Sequence, residues 1–142
     1  MTFRRTESAN NADRIVHEHR QLAAMLRELG QAADPATIAA MAVELHGMLA
    51  GHFVREEADD GLREAVLRAS PHLVDRLEGI ISEHPALLRS VADLAELAAD
   101  AASAASDIAA SVSGVIEQLR DHEGRESGLL SAALWDDVGG EG

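Results

Sequence analysis

Two histidine-centred signatures occur twice in this chain, in the same order, and their spacing ties both copies to helices. Glu18-His19-Arg20-Gln21-Leu22 returns as Glu83-His84-Pro85-Ala86-Leu87, and His52-Phe53-Val54-Arg55-Glu56 returns as His122-Glu123-Gly124-Arg125-Glu126. Each histidine occupies a step in a series that otherwise holds Leu, Ile, Val or Ala at intervals of three and four. The first series is Ile15, His19, Leu22, Leu26 and Leu29, and the second is Ile38, Ala42, Leu45, Leu49, His52 and Glu56. The third runs Leu77, Ile80, His84, Leu87, Val91, Leu94 and Ala98, and the fourth Ile108, Val112, Val115, Leu119, His122, Glu126 and Leu130. Such intervals lay one stripe along one face of a helix. Four striped helices joined by short connections turn their stripes to a shared interior. The expected fold is therefore all-α, an up-down-up-down antiparallel four-helix bundle.

Turn and cap residues set the expected boundaries. A first helix from about Ser8 to Gln31 follows the polar Asn10, Asn11 and Asp13 region and closes at Gly30. Asp34-Pro35 opens the second, because an Asp side chain caps free amides and Pro has no amide to lose in the first turn. Asp59-Asp60-Gly61 ends it, and Leu62 to Ala69 suits a short helical turn. Ser70-Pro71 repeats the cap-then-Pro signal for the third helix, where Pro85 predicts a kink right after His84. The fourth helix opens near Ser103 or Ser106 with Asp107 in its first turn. Gly114, Gly124 and Gly128 weaken it, so packing must hold it. The Ala-rich stretch from Ala95 to Ala110 reads as a close-packing face or a hinge. At 142 residues the chain is expected to be one domain, with the bundle over about 8–134 and a frayed acidic, Gly-rich tail over 135–142. Trp135 is expected to pack back on the bundle end.

Composition removes several functions. With 25 acidic and 12 basic side chains the formal charge is −13, which repels phosphate backbones and anionic bilayers, so neither nucleic acid nor membrane is an expected partner. No apolar stretch reads as long enough to span a bilayer, and a soluble cytoplasmic protein is expected. The absence of cysteine excludes disulfides, thiolate nucleophiles and thiolate metal ligands. Glu-x-x-His pairs of ferritin-like bundles, a His-Glu-x-x-His helix, a phosphate-binding glycine loop and a nucleophile elbow are all missing.

What remains is imidazole and carboxylate chemistry. A buried imidazole without a partner is costly. His52 with Glu56, and His122 with Glu126, lie four apart and so share a helix face one turn from each other. The candidate metal ligands are His19, His52, Glu56, His84, His122 and Glu126. Six such donors suit two cations better than one, and ligation by nitrogen and oxygen suits iron, manganese or zinc without choosing among them. His17 lies about 200 degrees around the helix from His19, and His46 and His72 about 120 degrees from the candidate ligand of their own helix, so all three are assigned to the surface. Glu57 is expected to be solvated. Glu18 and Glu83 are read as polar flank residues in preference to supports for the histidines, and Arg55 and Arg125 as surface ion-pair partners. Phe53 either shields the site or simply packs.

Together, Glu-His-x-x-Leu on the first and third helices and His-x-x-x-Glu on the second and fourth resemble the hemerythrin-like HHE cation-binding domain, from about Arg14 to Leu134. The resemblance implies a non-heme di-iron centre, two iron ions that can carry an oxo bridge, with manganese or zinc ranking behind iron. It implies that His19 and His52 hold one ion, His84 and His122 the other, and that Glu56 and Glu126 bridge them. The chain departs from the family's oxygen carriers by having Leu88 where they have a fifth histidine. Its symmetric set is closer to the hemerythrin-like domain of iron-sulfur cluster repair proteins, without their cysteine-bearing amino-terminal part. The implied function is binding of, or reaction with, O2, H2O2 or NO in redox or stress response, by a monomer or weak homodimer. Cluster repair or peroxide consumption is the enzymatic alternative, and a metal-free structural bundle the third.

Overall fold

Asp34 and Pro35 act as their order suggests. In the computed structural model, which describes the backbone of residues 2–136 and the side chains of residues 13–134, Asp34 Oδ2 accepts from the Thr37 amide at 3.1 Å and from its hydroxyl at 3.0 Å. Pro35 then opens α2 (Pro35–Glu57). Before it, α1 covers Thr2–Gln31. It starts earlier than Ser8 because no Gly or Pro interrupts the residues ahead of that point. Two short helices follow, α3 (Leu62–Ala69) and, after a 3-10 turn at Pro71–Leu73, α4 (Val74–Ile81). The long α5 (His84–Ala99) and α6 (Ala105–Ser131) complete the bundle, and a π turn at Ala132–Asp136 closes it. Trp135 and Asp136 thus continue helical backbone where a frayed tail was expected. The Trp135 side chain and residues 137–142 lie outside the described residues.

The third helix departs most from its sequence expectation. Ser70 does not cap it: its hydroxyl donates to the Ala133 carbonyl at 3.0 Å, tying the α3–α4 corner to the end of the chain. Pro85 does not kink a continuous helix either. The helix stops at Ile81, Ser82 and Glu83 form a turn, and α5 restarts with Pro85 in its first turn. Proline removes the amide that would bond the Ile81 carbonyl and crowds that oxygen, and a restart avoids both problems. The consequence is local but decisive, because Glu83 is freed from a regular helical face.

α1 and α5 each pack against both α2 and α6, with α2 and α5 the most extensive pair. The described residues contain no strand. Their core has two layers. Leu22, Leu26, Leu45, Leu49, Phe53, Leu87, Val91, Leu94, Val115 and Leu119 belong to the larger. Ile15, Leu62, Val66, Leu77, Ile80, Ile81, Leu129, Leu130 and Ala133 form the smaller, under the α3–α4 corner. One stretch, 35–69, contains an 18-residue window of mean hydropathy 1.3, long and apolar enough by composition to cross a membrane, contrary to the expectation that none is. Its alanines and methionines raise the index, and its stripe Ile38, Ala42, Leu45 and Leu49 is buried in the bundle.

Gly61 marks the turn between α2 and α3, where the chain closes tightly. A Cβ there would lie 2.6 Å from the carbonyl oxygens of both Arg55 and Glu56. Gly61→Ala is therefore expected to cost about 1–3 kcal/mol, read as a lower midpoint in thermal unfolding. An unchanged midpoint would show that this corner relaxes freely.

Candidate metal centre

Between the two apolar layers lies a polar one, supplied by the same helix stripes. On α1 it falls between Ile15 and Leu22, on α2 one turn beyond Leu49, on α5 at its first residue, and on α6 between Leu119 and Leu129. His52, Glu56, His84, His122 and Glu126 are buried there, and His19 is 18% exposed. His17 and His72 are exposed and His46 is half-buried, so none of the three joins this layer.

The six candidate ligands converge. The His19 and His52 ring centroids are 4.9 Å apart, and those of His84 and His122 5.2 Å. The glutamates stand between the two pairs. Glu56 Oε1 lies 3.3 Å from His52 Nε2 and 3.6 Å from His84 Nε2, while Oε2 lies 3.6 Å from His19 Nε2. Glu126 places Oε1 3.1 Å from His19 Nε2 and Oε2 3.5 Å from His122 Nε2. Donor atoms of His19, His52, Glu123 and Glu126 all lie within 4.8 Å of one another, as do those of His84, His122 and Glu126. Glu126 belongs to both groups.

A second ring of carboxylates sits behind the imidazoles. Glu83 Oε1 is 2.9 Å from His122 Nδ1, and Glu57 Oε2 is 3.1 Å from His84 Nδ1. Glu18 Oε2 lies 3.6 Å from His52 Nδ1. Glu18 and Glu83 are thus not mere flank residues. Glu57 is not simply solvated, although it is 46% exposed. The arginines of the repeated motif hold these carboxylates. Arg55 pairs with Glu18 through Nε at 2.9 Å and through Nη2, and Arg125 donates to both oxygens of Glu83 at 2.6 and 2.7 Å. The second copy thus builds an Arg–Glu–His relay, Arg125–Glu83–His122, while in the first the Arg55–Glu18 pair stands behind His52 without a hydrogen bond to its Nδ1. An Nδ1–H that donates outward turns the Nε2 lone pair inward, as metal-binding imidazoles require.

The charges reflect crowding of acids in a dry layer. Burial pushes the Glu56 carboxyl up to about 10, with the Glu126 and Glu123 carboxylates adding to it. Burial opposes charge on Glu126 too, but contacts from His122, His19 and Glu56 outweigh it and hold that carboxyl below the usual range. Burial works against a charged His19, yet Glu126 and Glu56 beside it and Glu123 nearby carry it up to about 10. Burial and the His19 charge push His52 down to about 4. Outside the layer, hydrogen bonds from Arg125 dominate at Glu83 and bring it down to about 2, so the His122 support stays ionised at neutral pH.

Sequence reasoning passed over Glu123. Burial, then the Glu126 charge, raise its carboxyl to about 7, and its Oε2 is 3.3 Å from His19 Nε2. A signal was present in the repeat itself, since Glu123 stands where the first copy has Phe53. Phe53 is in turn stacked on His84, with ring centroids 3.7 Å apart and planes at 4°.

Whether a cation suits this layer can be judged from its own atoms. The Nε2 atoms of His19, His52, His84 and His122, His52 Nδ1, both oxygens of Glu56 and Glu123, and Glu126 Oε1 are buried with no hydrogen-bond partner among the described residues. Each such orphan costs about 1–3 kcal/mol, and the close contacts among them are too poorly aligned to count as bonds. Lone pairs from four imidazoles and three carboxylates aimed inward are what divalent cations of the first transition row accept. The residues fit such ions. The family model for the hemerythrin HHE cation binding domain matches residues 10–134. No curated protein and no solved structure matches the chain.

Proposed function

We propose, since this chain belongs to the hemerythrin HHE cation-binding domain family, that it holds two iron ions and binds or reacts with O2, H2O2 or NO in redox or stress response. His19 and His52 hold one ion, His84 and His122 the other, and Glu56 and Glu126 are shared. The observation that carries this reading is the set of inward Nε2 and carboxylate atoms, buried and unpartnered between two apolar layers. When bound, a ferrous pair supplies electrons and open coordination positions for a small ligand.

The remaining work falls to the protein. The Arg125–Glu83 pair orients His122 from behind and Glu57 does so for His84, while the Arg55–Glu18 pair sets a carboxylate 3.6 Å from His52 Nδ1. Phe53 covers one face of His84. A cleft of about 350 Å³ between α1 and α6, lined by His19, Leu26, Arg120 and Glu123 among others, leads to the polar layer and admits a diatomic molecule or peroxide. The formal charge of −13 suits a soluble, cytoplasmic chain without nucleic-acid partners.

Protein purified after iron supplementation is expected to contain about two iron atoms per chain, and fewer than one would favour a structural bundle. Loaded anaerobically with ferrous iron, it should then develop new near-ultraviolet and visible absorption on exposure to O2, peroxide or NO. Spectra unchanged by all three would remove the redox part. Sustained peroxide turnover, as opposed to a single spectral change, would make the chain an enzyme.

A further inference from the structure

The two copies of the repeat differ at one position that faces the centre. The residue after the motif histidine is Phe53 on α2 and Glu123 on α6. Phe53 lies flat on the His84 ring, on the side of the His84–His122 pair. Glu123 sits instead beside His19, its Oε2 3.3 Å from Nε2, with both oxygens buried and unpartnered among the described residues. Its donor atom falls within 4.8 Å of those of His19, His52 and Glu126. His52 and Glu126 are almost wholly buried there and also aim unpartnered atoms at the same point. His19 and Glu123 also line the cleft between α1 and α6, so this half of the centre is the half that borders it.

We propose that Glu123 is a further metal ligand, which makes the two positions inequivalent. The His19–His52 position is built from five side chains, His19, His52, Glu56, Glu126 and Glu123, and fills first. The His84–His122 position has four, with an aromatic ring in place of the fifth, and fills second. A third carboxylate raises both the donor count and the negative charge at one position, and each favours a divalent cation over the four-residue alternative. This inference rests on the two-ion reading above, and it goes beyond that reading in assigning an order and a cause.

The test is an anaerobic calorimetric titration of the metal-free chain with ferrous iron alone, with 57Fe Mössbauer spectra of the loaded protein. Wild type should bind in two resolved steps and give two ferrous quadrupole doublets of similar area. Glu123→Gln keeps the size of the side chain but is a far poorer ligand. It should weaken the first step at least tenfold and bring the two doublets together. Circular dichroism and the metal-free unfolding midpoint establish that the variant is folded. If wild type binds two ions but Glu123→Gln binds them with the same two constants and the same doublets, Glu123 is only an ion-pair partner of His19 and the proposal fails. If wild type fails to bind two ions, the two-ion reading itself fails, so the two failures are distinguishable.

Discussion

Replacing Glu56 or His122 with alanine is expected to cut bound iron from about two ions per chain to one or fewer and to lower the unfolding midpoint of the loaded protein by about 10 °C. A ligand at a thousandfold excess over its dissociation constant stabilises the native state by about 4 kcal/mol, and losing it from a domain of this size accounts for that shift. His17→Ala is the control. Its ring is exposed on another face of α1, and surface substitutions of that kind stay within about 0.5 kcal/mol. The sign of a second variant separates a ligand from a structural group. Glu56 is fully buried beside Glu126 and lacks a hydrogen-bond partner, so without metal it is a liability. Glu56→Leu should raise the midpoint of the metal-free chain while abolishing the gain from iron. Thermal unfolding with and without ferrous iron checks both signs. If Glu56→Leu lowers the metal-free midpoint, Glu56 holds the bundle together by itself; if all variants retain two ions, the assignment of these ligands is wrong.

Metal affinity should climb steeply with pH. At neutral pH the metal-free layer keeps a proton on Glu56, which burial raises to about 10, and on His19, which its carboxylate neighbours carry to about 10 against burial. Both must lose that proton to donate a lone pair, so a cation and protons compete for the same atoms. Below about 10 each such group adds one proton released per binding event. Filling the centre should therefore release protons between pH 7 and 9, and the overall association constant should rise with pH. Acid reverses the competition and strips the metal. His52, pushed down to about 4, contributes only at the acid end. Titration calorimetry in buffers of different ionisation enthalpy counts the protons directly. An affinity flat across this range would mean that His19 and Glu56 are already free bases or are not ligands.

How far these features could be read without coordinates depends on the kind of residue. The Leu, Ile and Val stripes gave the four-helix architecture, and Asp34-Pro35 the start of α2, because helix periodicity and capping are local properties. Convergence of His19, His52, Glu56, His84, His122 and Glu126 was legible for a related reason: each replaces an apolar residue in a stripe, and stripes face inward. Glu83 was not legible. Its role depends on the break at Ser82 and Glu83, where a kink after His84 was expected, and on Arg125 arriving from α6. Glu57 points off the stripe of its own helix, yet its flexible side chain reaches the back of His84. Glu123 was hidden in plain view, because its neighbour His122 explained the motif without it.

The amino-acid order alone determined which residues lie on the inward face of each helix, since that follows from 3.6 residues per turn and the avoidance of water by apolar groups. Only the packed bundle decided which helix stands behind each imidazole and at what height. Those choices placed Glu18, Glu57 and Glu83 against His52, His84 and His122, and set Glu123 beside His19 but Phe53 against His84. They depend on distances between side chains remote in the chain, fixed by how stripes interlock and where one proline breaks a helix, and no local periodicity encodes them.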